Sequence, residues 1–335
     1  MGRFLRAAPA GRWIAIAWLL AAGGAVAEAR EYGSHPAAAA FIARMVDQHG
    51  FERDALLDLF TRARYQDSII QAMERPAERV KPWYEYRQIF LTERRIRDGE
   101  QFWRDHAATL ERARSDYGVD PAIVVAIIGV ETFYGRITGN FRVLDALATL
   151  AFDYPKRGEF FARELEQYLL LTREQGLDPL SLKGSYAGAM GYGQFIPSSY
   201  RAYAVDYNGD GSADIWADPV DAIGSVANYF AQHGWRAGAP VVLPAAASKD
   251  HDQESVNVLV KPNLSPAELA ARGFRPLDKP APDAPAFPLQ LEGSDGDEYW
   301  LAYDNFYVIT RYNRSHRYAM AVYQLSRALA ERVVQ

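Results

Sequence analysis

The sequence predicts a mainly α-helical protein of the α+β class, with a small β-containing insertion in its second half. Apolar residues recur at helical spacing from residue 36 to about residue 114, and again in residues 146–150, 160–171 and 315–334. Strand-like runs become frequent only after Trp235. Because 49% of the 335 residues are hydrophobic and 24% are charged, we expect the chain to bury a sizeable core.

These patterns divide the chain into four predicted parts. Residues 1–27 form a leader, residues 30–114 an N-terminal helical domain, and residues 237–304 a small β-containing domain. Residues 115–236 form a second helical unit, which residues 305–335 complete. In the first helical domain, a helix is expected from Asp98 to Asp116, and Gly118 should end it.

The predicted β-containing domain is a mixture of short elements. Residues 241–243, 256–260 and 287–291 look like strands, and residues 299–312 are β-rich in character. A short helix should begin at Ser265, whose partner Glu268 would complete a capping box. Residues 279–288 are rich in Pro and Ala and therefore indicate a loop.

The leader has the features of a secretory signal peptide. Three arginines precede a short apolar run over residues 13–22, and Ala25-Val26-Ala27 matches an A-x-A cleavage site. A buried N-terminal helix is the alternative. The chain has no Cys, hence no disulfide and no cysteine for a lipid anchor, so we expect a soluble periplasmic protein without a membrane anchor. A net charge of −5 argues against a nucleic-acid binder.

Glu131 is the strongest candidate for a catalytic residue. The preceding run, residues 123–130, is apolar on every side, which indicates a buried helix. Asp120 and Pro121 should begin this helix, and Gly135 should end it. Burial and the negative end of the helix dipole would both raise the pKa of Glu131, as a proton donor requires. The alternative is a structural glutamate paired with a nearby arginine, either Arg136 or Arg142.

A second candidate segment spans residues 184–199. It is rich in glycine and other small residues and has few charges, so its backbone can approach a ligand closely. Ser185, Tyr192 and Gln194 could form hydrogen bonds with a neutral polar ligand such as a sugar. The glycines do not follow phosphate-loop spacing. A tight structural turn is the alternative.

Several segments together resemble the lytic murein transglycosylase B family. They are PWYEY (82–86), IGVET (128–132), LDALATL (144–150), the 185–199 segment, DAIGSVANY (221–229) and FYVITRYN (306–313). The resemblance spans nearly the whole chain after the leader and is weakest between residues 237 and 299. It implies a core similar to that of goose-type lysozyme. It also implies that Glu131 is the single catalytic acid/base in the cleavage of peptidoglycan glycan strands.

The resemblance further implies which residues contact the substrate. The cleft residues would be Tyr86, Ser185, Gln194, Tyr229, Tyr312, Asn313 and Tyr318. Lys156 and Arg157 stand where the family has a basic pair that can meet the peptide stem. The first member is Lys here, which offers a point charge rather than a planar fork.

The absence of an obvious second carboxylate shapes the expected mechanism. Ordinary glycosidases place two carboxylates across the scissile bond. Asp145 and Asp153 are the candidates for a second one, and structural roles are preferred for both. If Glu131 acts alone, the substrate must supply the nucleophile, either the 2-acetamido oxygen or the C6 hydroxyl of N-acetylmuramic acid. The resemblance implies attack by the C6 hydroxyl and a 1,6-anhydro product. A lysozyme-like hydrolase and a non-catalytic glycan-binding scaffold are the alternatives, and wall-synthesis enzymes are possible partners.

The segment from Asp206 to Asp214 matches the beginning of an EF-hand loop. Oxygen ligands would come from its first, third and fifth positions, with Gly211 at the sixth and a water-bridged Asp214 at the ninth. Position twelve is Ala217, so another carboxylate is needed; Asp218 is nearest, but the family resemblance points to Asp221. The predicted calcium ligands are Asp206, Asn208, Asp210, Ser212 and Asp221. A solvated turn is the alternative, and neither zinc nor an organic cofactor is expected.

Overall fold

The computed structural model describes residues 31–74, 81–277 and 282–334, so the predicted signal peptide lies outside the described residues. Helices of the N-terminal part are α1 (Pro36–His49), α2 (Arg53–Arg62), α3 (Asp67–Glu74), α4 (Trp83–Phe90), α5 (Glu93–Asp105) and α6 (Ala107–Tyr117). The following helices are α7 (Pro121–Thr132), α8 (Val143–Asp153), α9 (Gly158–Glu174), α10 (Pro197–Tyr203) and α11 (Pro219–Gln232). The last three are α12 (Pro266–Ala271), α13 (Asp304–Tyr312) and α14 (His316–Val334). The predicted mainly helical α+β class is confirmed.

The strands form two antiparallel sheets. β1 (Phe141–Arg142) pairs with β2 (Lys183–Gly184) beside the glycine-rich segment. The larger sheet has the strand order β4-β3-β6-β5 and is formed by β3 (Val242–Ala247), β4 (Phe274–Pro276), β5 (Phe287–Gly293) and β6 (Gly296–Ala302). In its described residues, the β-containing insertion is therefore a four-stranded sheet with one short α-helix, α12, whose capping box at Ser265 is present as predicted.

The main hydrophobic core surrounds α7. Every residue of this helix except Glu131 is buried, because α14, α5, α6 and α11 pack against its different sides. The sheet also contributes to this core. Phe287, Leu289 and Leu291 alternate along β5 and belong to the main core, whereas Leu301 and Phe274 lie in a second, smaller core of the insertion. The insertion is thus packed onto the helical part, and the predicted domain boundaries stay a prediction.

Three predicted elements are wrong in detail. The helix expected over residues 98–116 is two helices, because His106 leaves the helical conformation between α5 and α6. Residues 256–260 do not form a strand; Val256 is buried in the second core, but Val258 and Val260 are exposed. The β-rich stretch 299–312 changes from β6 to helix α13 at Tyr303. Tertiary packing of the β-formers in α13 against the core overrides their intrinsic propensity.

A buried carboxylate connects α9 to the start of α10. Glu164 is 5% exposed, and its carboxylate accepts hydrogen bonds from the backbone N–H of Ser198 at 2.9 Å and from its Oγ–H at 2.8 Å. Burial raises the pKa of Glu164, although the hydrogen bonds from Ser198 oppose the shift. α10 begins directly after the glycine-rich segment, so this contact supports one side of that segment.

We predict that Glu164→Gln changes how the free energy of unfolding depends on pH. A carboxylate whose pKa is raised by folding contributes stability that is present in full below its unfolded value of 4.5 and is lost as pH rises through the folded value. Wild type should therefore gain stability relative to Glu164→Gln as pH falls from 7 towards 4.5. Glu164→Ala should cost about 1–3 kcal/mol at pH 7, because it leaves Ser198 unpaired. Urea unfolding at several pH values measures the free energy of unfolding of each variant. A pH-independent difference between wild type and Glu164→Gln would contradict a raised pKa for Glu164.

Candidate active site

Glu131 lies in the last turn of α7 and is half-buried. The helix begins as predicted: the side chain of Asp120 accepts a hydrogen bond from the N–H of Ala122 at 2.8 Å, and Pro121 occupies the first turn. The apolar residues between these ends are buried, so the helix is fixed on every side. Its rigid position determines where the carboxylate of Glu131 lies.

The backbone that follows Glu131 takes an unusual path. Phe133, Tyr134 and Gly135 have φ values of 53°, 60° and 81°, so three successive residues are in the left-handed region. The helix therefore ends at Phe133, two residues before the predicted stop. A left-handed residue other than glycine costs roughly 1–2 kcal/mol. Hydrogen bonds from the N–H groups of Phe133 and Tyr134 back to the helix, and one from Tyr134 Oη to the Arg95 carbonyl at 3.0 Å, stabilise the turn.

Thr132 connects this turn to the glycine-rich segment. Its side chain is buried, and its Oγ1 accepts a hydrogen bond from the N–H of Gly135 at 2.9 Å. The hydroxyl proton is within reach of the Tyr192 carbonyl at 2.9 Å and of the Ile128 carbonyl at 3.1 Å. The N–H of Tyr192 in turn donates to the carbonyl of Ile215, which follows the Asp-rich loop, at 2.9 Å. Local sequence gave no signal for Thr132, because its role depends on segments 60 or more residues away.

Tyr318 of α14 contacts the predicted catalytic residue directly. Its hydroxyl donates to Oε1 of Glu131 at 2.5 Å, and the tyrosine is 2% exposed. Burial, together with the nearby charge of Glu131, raises the pKa of Tyr318 well above its usual value of 10, so the hydroxyl stays protonated. The two arginines considered as partners of Glu131 pair with other carboxylates: Arg136 with Asp98 at 2.5 Å and Arg142 with Asp145 at 2.8 Å.

Three more of the predicted cleft residues surround this pair. Tyr312 donates its hydroxyl to the Gly193 carbonyl at 2.5 Å, and its ring centroid is 4.7 Å from that of Tyr229. Tyr229 donates its own hydroxyl to the Arg311 carbonyl at 2.6 Å. Burial and the charge of Glu131 raise the pKa of Tyr312, and Tyr86 of α4 is close enough to raise that of Tyr318. The hydroxyls of Tyr312 and Tyr229 therefore connect the segments around Glu131 to one another.

The glycine-rich segment places Ser185 and Gln194 through its own hydrogen bonds. The Oγ of Ser185 accepts from the N–H groups of Ala187 and Ala189 at 3.3 and 3.1 Å, which leaves the hydroxyl proton available as a donor. Gln194 has φ 52°, and its Nε2 donates to the carbonyls of Thr138 and Gly191. Its Oε1 takes part in neither bond and remains an acceptor.

The basic pair and Asn313 are not joined to this group by contacts. Lys156 pairs with Glu74 at 3.5 Å, and the guanidinium of Arg157 lies 4.4 Å from the ring centroid of Phe160. Asn313 follows Tyr312 and ends α13 in an extended conformation. In the described residues, the structure thus assembles Glu131 with Tyr318, Tyr312, Tyr229 and Tyr86, beside the segment that carries Ser185 and Gln194.

Both candidates for a second carboxylate are engaged in the fold. Asp145 is 4% exposed, forms a bidentate ion pair with Arg142 at 2.8 Å, and accepts from the backbone N–H of Arg64 at 2.9 Å. Asp153 accepts from the hydroxyl of Tyr32 at 2.6 Å. A nucleophile or water-activating base needs an oxygen that faces the substrate, so these contacts favour the structural roles preferred from the sequence.

The Asp-rich loop is closed by its own side chains. Asp206 accepts from the N–H groups of Gly209 and Gly211 at 2.7 Å each, and Asp210 accepts from the N–H of Ser212 at 3.0 Å. The amide of Asn208 lies between two carboxylates: its Nδ2 is 3.0 Å from Asp210 and 2.6 Å from Asp218. The loop thus carries exposed Asp206, Asn208 and Asp210 and half-buried Asp218, whose side-chain oxygens are the donor type that Ca²⁺ prefers.

Asp221 has a different position from that expected of a ligand. It is fully buried, and its carboxylate accepts from the N–H groups of Tyr207, Asn208 and Asp214 at 2.7, 3.0 and 2.8 Å. Burial raises its pKa, which those three donors oppose. The geometry therefore favours Asp218 over Asp221 as the fifth ligand. Among the described residues, no group of three or more His, Cys, Asp or Glu side chains is already arranged as a metal site, so binding would require the loop to close further.

Comparison with known proteins identifies the family to which this fold belongs. The family model described as the transglycosylase SLT domain matches residues 33–327. The chain belongs to this family. It is 46% identical over 314 residues to membrane-bound lytic murein transglycosylase B of Escherichia coli (strain K12), covering 91% of this chain and 86% of the relative. It is accordingly a lytic transglycosylase that cleaves peptidoglycan, which excludes the non-catalytic scaffold.

Solved structures show the same fold. The soluble lytic transglycosylase SltB1 of Pseudomonas aeruginosa is 53% identical with a TM-score of 0.84, covering 90% of this chain and 100% of that one. Escherichia coli Slt35, solved in complex with calcium, is 46% identical with a TM-score of 0.83 over 90% and 95% of the two chains. SltB3 of Pseudomonas aeruginosa, solved in complex with NAG-anhNAM-pentapeptide, is 31% identical with a TM-score of 0.77 over 88% and 78%. The predicted lysozyme-like lytic transglycosylase fold is confirmed.

A helix that spans a membrane must be both long and predominantly apolar. None of the helices in the described residues combines the length and apolar character needed to cross a bilayer. The predicted export to the periplasm depends on residues 1–27, which lie outside the described residues, and stays a prediction.

Proposed function

We propose that Glu131 is the single general acid/base of a cleavage in which water is not the nucleophile. The observation that carries this proposal is the hydrogen bond between Tyr318 and Glu131. The other two candidate carboxylates, Asp145 and Asp153, are engaged by Arg142 and Tyr32. One carboxylate with a fixed hydroxyl partner can give and take one proton. It does not supply the second carboxylate of an ordinary glycosidase.

The proposed reaction has two steps, in which Glu131 first gives up one proton and then takes one back. Glu131 donates its proton to the glycosidic oxygen as the C1–O bond of N-acetylmuramic acid breaks, and the Glu131 carboxylate forms. The C6 hydroxyl of the same sugar then attacks C1, and Glu131 takes back the proton. Tyr318, which stays protonated, stabilises the carboxylate that forms on Glu131 by donating a hydrogen bond to it from its hydroxyl. The attack is intramolecular, so effective concentration favours it over attack by water.

The proposed substrate contacts follow from the positions of the polar groups. Ser185 retains a donor and Gln194 an acceptor, so both can bind sugar hydroxyl or acetamido groups. Tyr312 uses its hydroxyl within the protein and would offer ring surface to the sugar. Tyr229 is buried, and its ring packs against that of Tyr312, so it would support this surface. Tyr86, Asn313 and the Lys156–Arg157 pair remain proposed contacts. The SltB3 complex named above, whose ligand contains an anhydro sugar and a pentapeptide, supports glycan-strand binding with attached peptides.

The mass of the cleaved ends tests the proposed function. Purified peptidoglycan digested with this enzyme should release muropeptides that end in 1,6-anhydro-N-acetylmuramic acid and are lighter by one water than hydrolysis products. Borohydride should leave those ends unreduced, because no free hemiacetal is formed. A majority of reducible ends would instead support the lysozyme-like hydrolase and would renew the search for a second carboxylate.

The Asp-rich loop is proposed as a structural calcium site with Asp206, Asn208, Asp210, Ser212 and either Asp218 or Asp221 as ligands. Its oxygen donors come from one short loop, in which the Asn208 amide contacts both Asp210 and Asp218, and Slt35 was solved in complex with calcium. The ion would supply charge neutralisation for the gathered carboxylates. Its position beside the Ile215–Tyr192–Thr132 connection would then hold the glycine-rich segment against the end of α7.

Calcium should raise the melting temperature of the wild-type protein. A ligand that binds only the native state stabilises it by about 2.7 kcal/mol when its concentration is 100 times Kd. We expect a rise of several degrees relative to excess chelator, and a much smaller rise for Asp210→Ala. Asp295→Ala, which removes an exposed carboxylate from the β5–β6 turn, is the control and should respond like wild type. Identical wild-type melting curves in calcium and chelator would exclude the site.

A further inference from the structure

Three arginines converge on one ring in the turn after Glu131. The guanidinium carbons of Arg94, Arg95 and Arg136 lie 5.6, 4.7 and 5.4 Å from the ring centroid of Phe133. Arg94 and Arg95 come from the first turn of α5, whereas Arg136 follows the left-handed turn. We call these three residues the arginine cluster. Because all three guanidinium groups lie within 6 Å of one ring centroid, a single anion near that ring experiences the field of all three.

The arginine cluster has more positive than negative charge. Its ion pairs, within the residues that the structure describes, involve the single carboxylate of Asp98, at 2.5 Å from Arg136 and 3.7 Å from Arg94. Arg95 donates to the Ile89 carbonyl, and its Nε is buried without a hydrogen-bond partner. Burial also lowers the pKa of Arg95, which shows that its charge is partly desolvated. An anion bound here would reduce the repulsion among the three guanidinium groups, and its charge would compensate Arg95 for lost hydration.

The arginine cluster lies within reach of a substrate held at Glu131. Phe133 is two residues further along the chain, so its Cα lies no more than about 8 Å from that of Glu131. A peptide stem of four or five residues can extend about 13–18 Å from the sugar that carries it. Carboxylates of such a stem can therefore reach the cluster while the sugar remains at the catalytic residue. The Lys156–Arg157 pair, in contrast, contacts Glu74 and Phe160.

We propose that the arginine cluster is a carboxylate-binding site for the peptide stem of the glycan strand cleaved at Glu131. The proposal rests on the proposed function and adds a second site for stem recognition. Arg94 and Arg136 are 71% and 53% exposed and present planar guanidinium groups, which bind carboxylates in a bidentate manner. The ring of Phe133 contacts both exposed arginines, and Asp98, which pairs with both of them, limits the excess charge.

The test compares strands that differ only in the charge of their stems. Glycan strands with native stems, and the same strands after conversion of the stem carboxylates to amides, are titrated with protein carrying Glu131→Gln. We expect amidation to weaken binding about tenfold in this background. Adding Arg94→Gln and Arg136→Gln should weaken binding of native strands severalfold and remove most of the effect of amidation. Adding Asp98→Asn, which increases the positive charge, should tighten binding of native strands only.

Two further variants distinguish this site from the other basic surfaces of the protein. Arg62→Gln removes an equally exposed arginine that pairs with Asp58 on α2, and it should keep the full effect of amidation. Lys156→Gln with Arg157→Gln should keep at least part of it. If the Arg94/Arg136 variant retains the wild-type response, or if the response is lost only with Lys156 and Arg157, the proposal is wrong. Binding that never depends on stem charge would overturn it while leaving the proposed function intact, and absence of all strand binding would overturn both.

Discussion

Glu131→Gln is expected to lower the rate of peptidoglycan cleavage by about a thousandfold or more and to leave the fold intact. General acid–base catalysis contributes typically about 10²–10⁴-fold, and here one residue is proposed to act in both steps. The amide has the same shape as the carboxylate and keeps an oxygen that can accept the hydroxyl proton of Tyr318. The variant should therefore still bind glycan strands, as measured by co-sedimentation.

Glu164→Gln is the matched control for this substitution. It makes the same change at another glutamate that is at least half-buried, but Glu164 bonds to Ser198 between α9 and α10, away from the pair formed by Glu131 and Tyr318. Its rate of cleavage should stay close to that of the wild type. A Glu131→Gln protein that cleaves at a near-normal rate would eliminate Glu131 as the acid/base, whatever the behaviour of the control.

Tyr318→Phe should have the next largest effect, a loss of about 10- to 100-fold in kcat, because a hydrogen bond to a charged group contributes about 1.5–3 kcal/mol. The hydroxyl of Tyr318 favours the carboxylate form of Glu131, so its removal favours the protonated form. The alkaline limb of the kcat–pH profile should consequently move to higher pH. A purely structural tyrosine would change stability without moving this limb.

Tyr168→Phe controls for the loss of a buried tyrosine hydroxyl. Tyr168 is fully buried in α9 and donates to the carbonyl of Pro179 at 2.8 Å, so its replacement should cost about 1 kcal/mol of stability. Its pH profile should match that of the wild type. Equal pH profiles for Tyr318→Phe and Tyr168→Phe would contradict the proposed role of Tyr318, even if both variants lost some activity.

Local signals in the sequence were sufficient to predict the helix that carries Glu131. Asp120 and Pro121 begin α7 as expected because capping and the fixed φ of proline act within one turn. The end of the helix was predicted two residues too late. Phe133 and Tyr134 adopt left-handed φ values that a local rule assigns to glycine, and contacts with α5 stabilise them.

The assembly around Glu131 could not be deduced from local patterns. Tyr318 is 187 residues away along the chain, and its position became an expectation only through the family resemblance. Tyr312 was expected in a β-rich stretch but lies at the end of α13, because β-forming residues there pack as one face of a helix. Spacing predicted the oxygen donors of the Asp-rich loop. The burial of Asp221, however, depends on how α11 packs beneath that loop.

Digestion of peptidoglycan in water enriched in ¹⁸O tests most directly whether water or the substrate's own C6 hydroxyl attacks C1. The proposed mechanism incorporates no oxygen from the solvent, so the new N-acetylmuramic acid ends should be unlabelled, with the mass of the 1,6-anhydro sugar. Peptidoglycan digested in parallel with a lysozyme-like hydrolase is the positive control. Incorporation of one ¹⁸O atom into most new ends would contradict the assignment of Glu131 as the sole catalytic carboxylate of a non-hydrolytic cleavage.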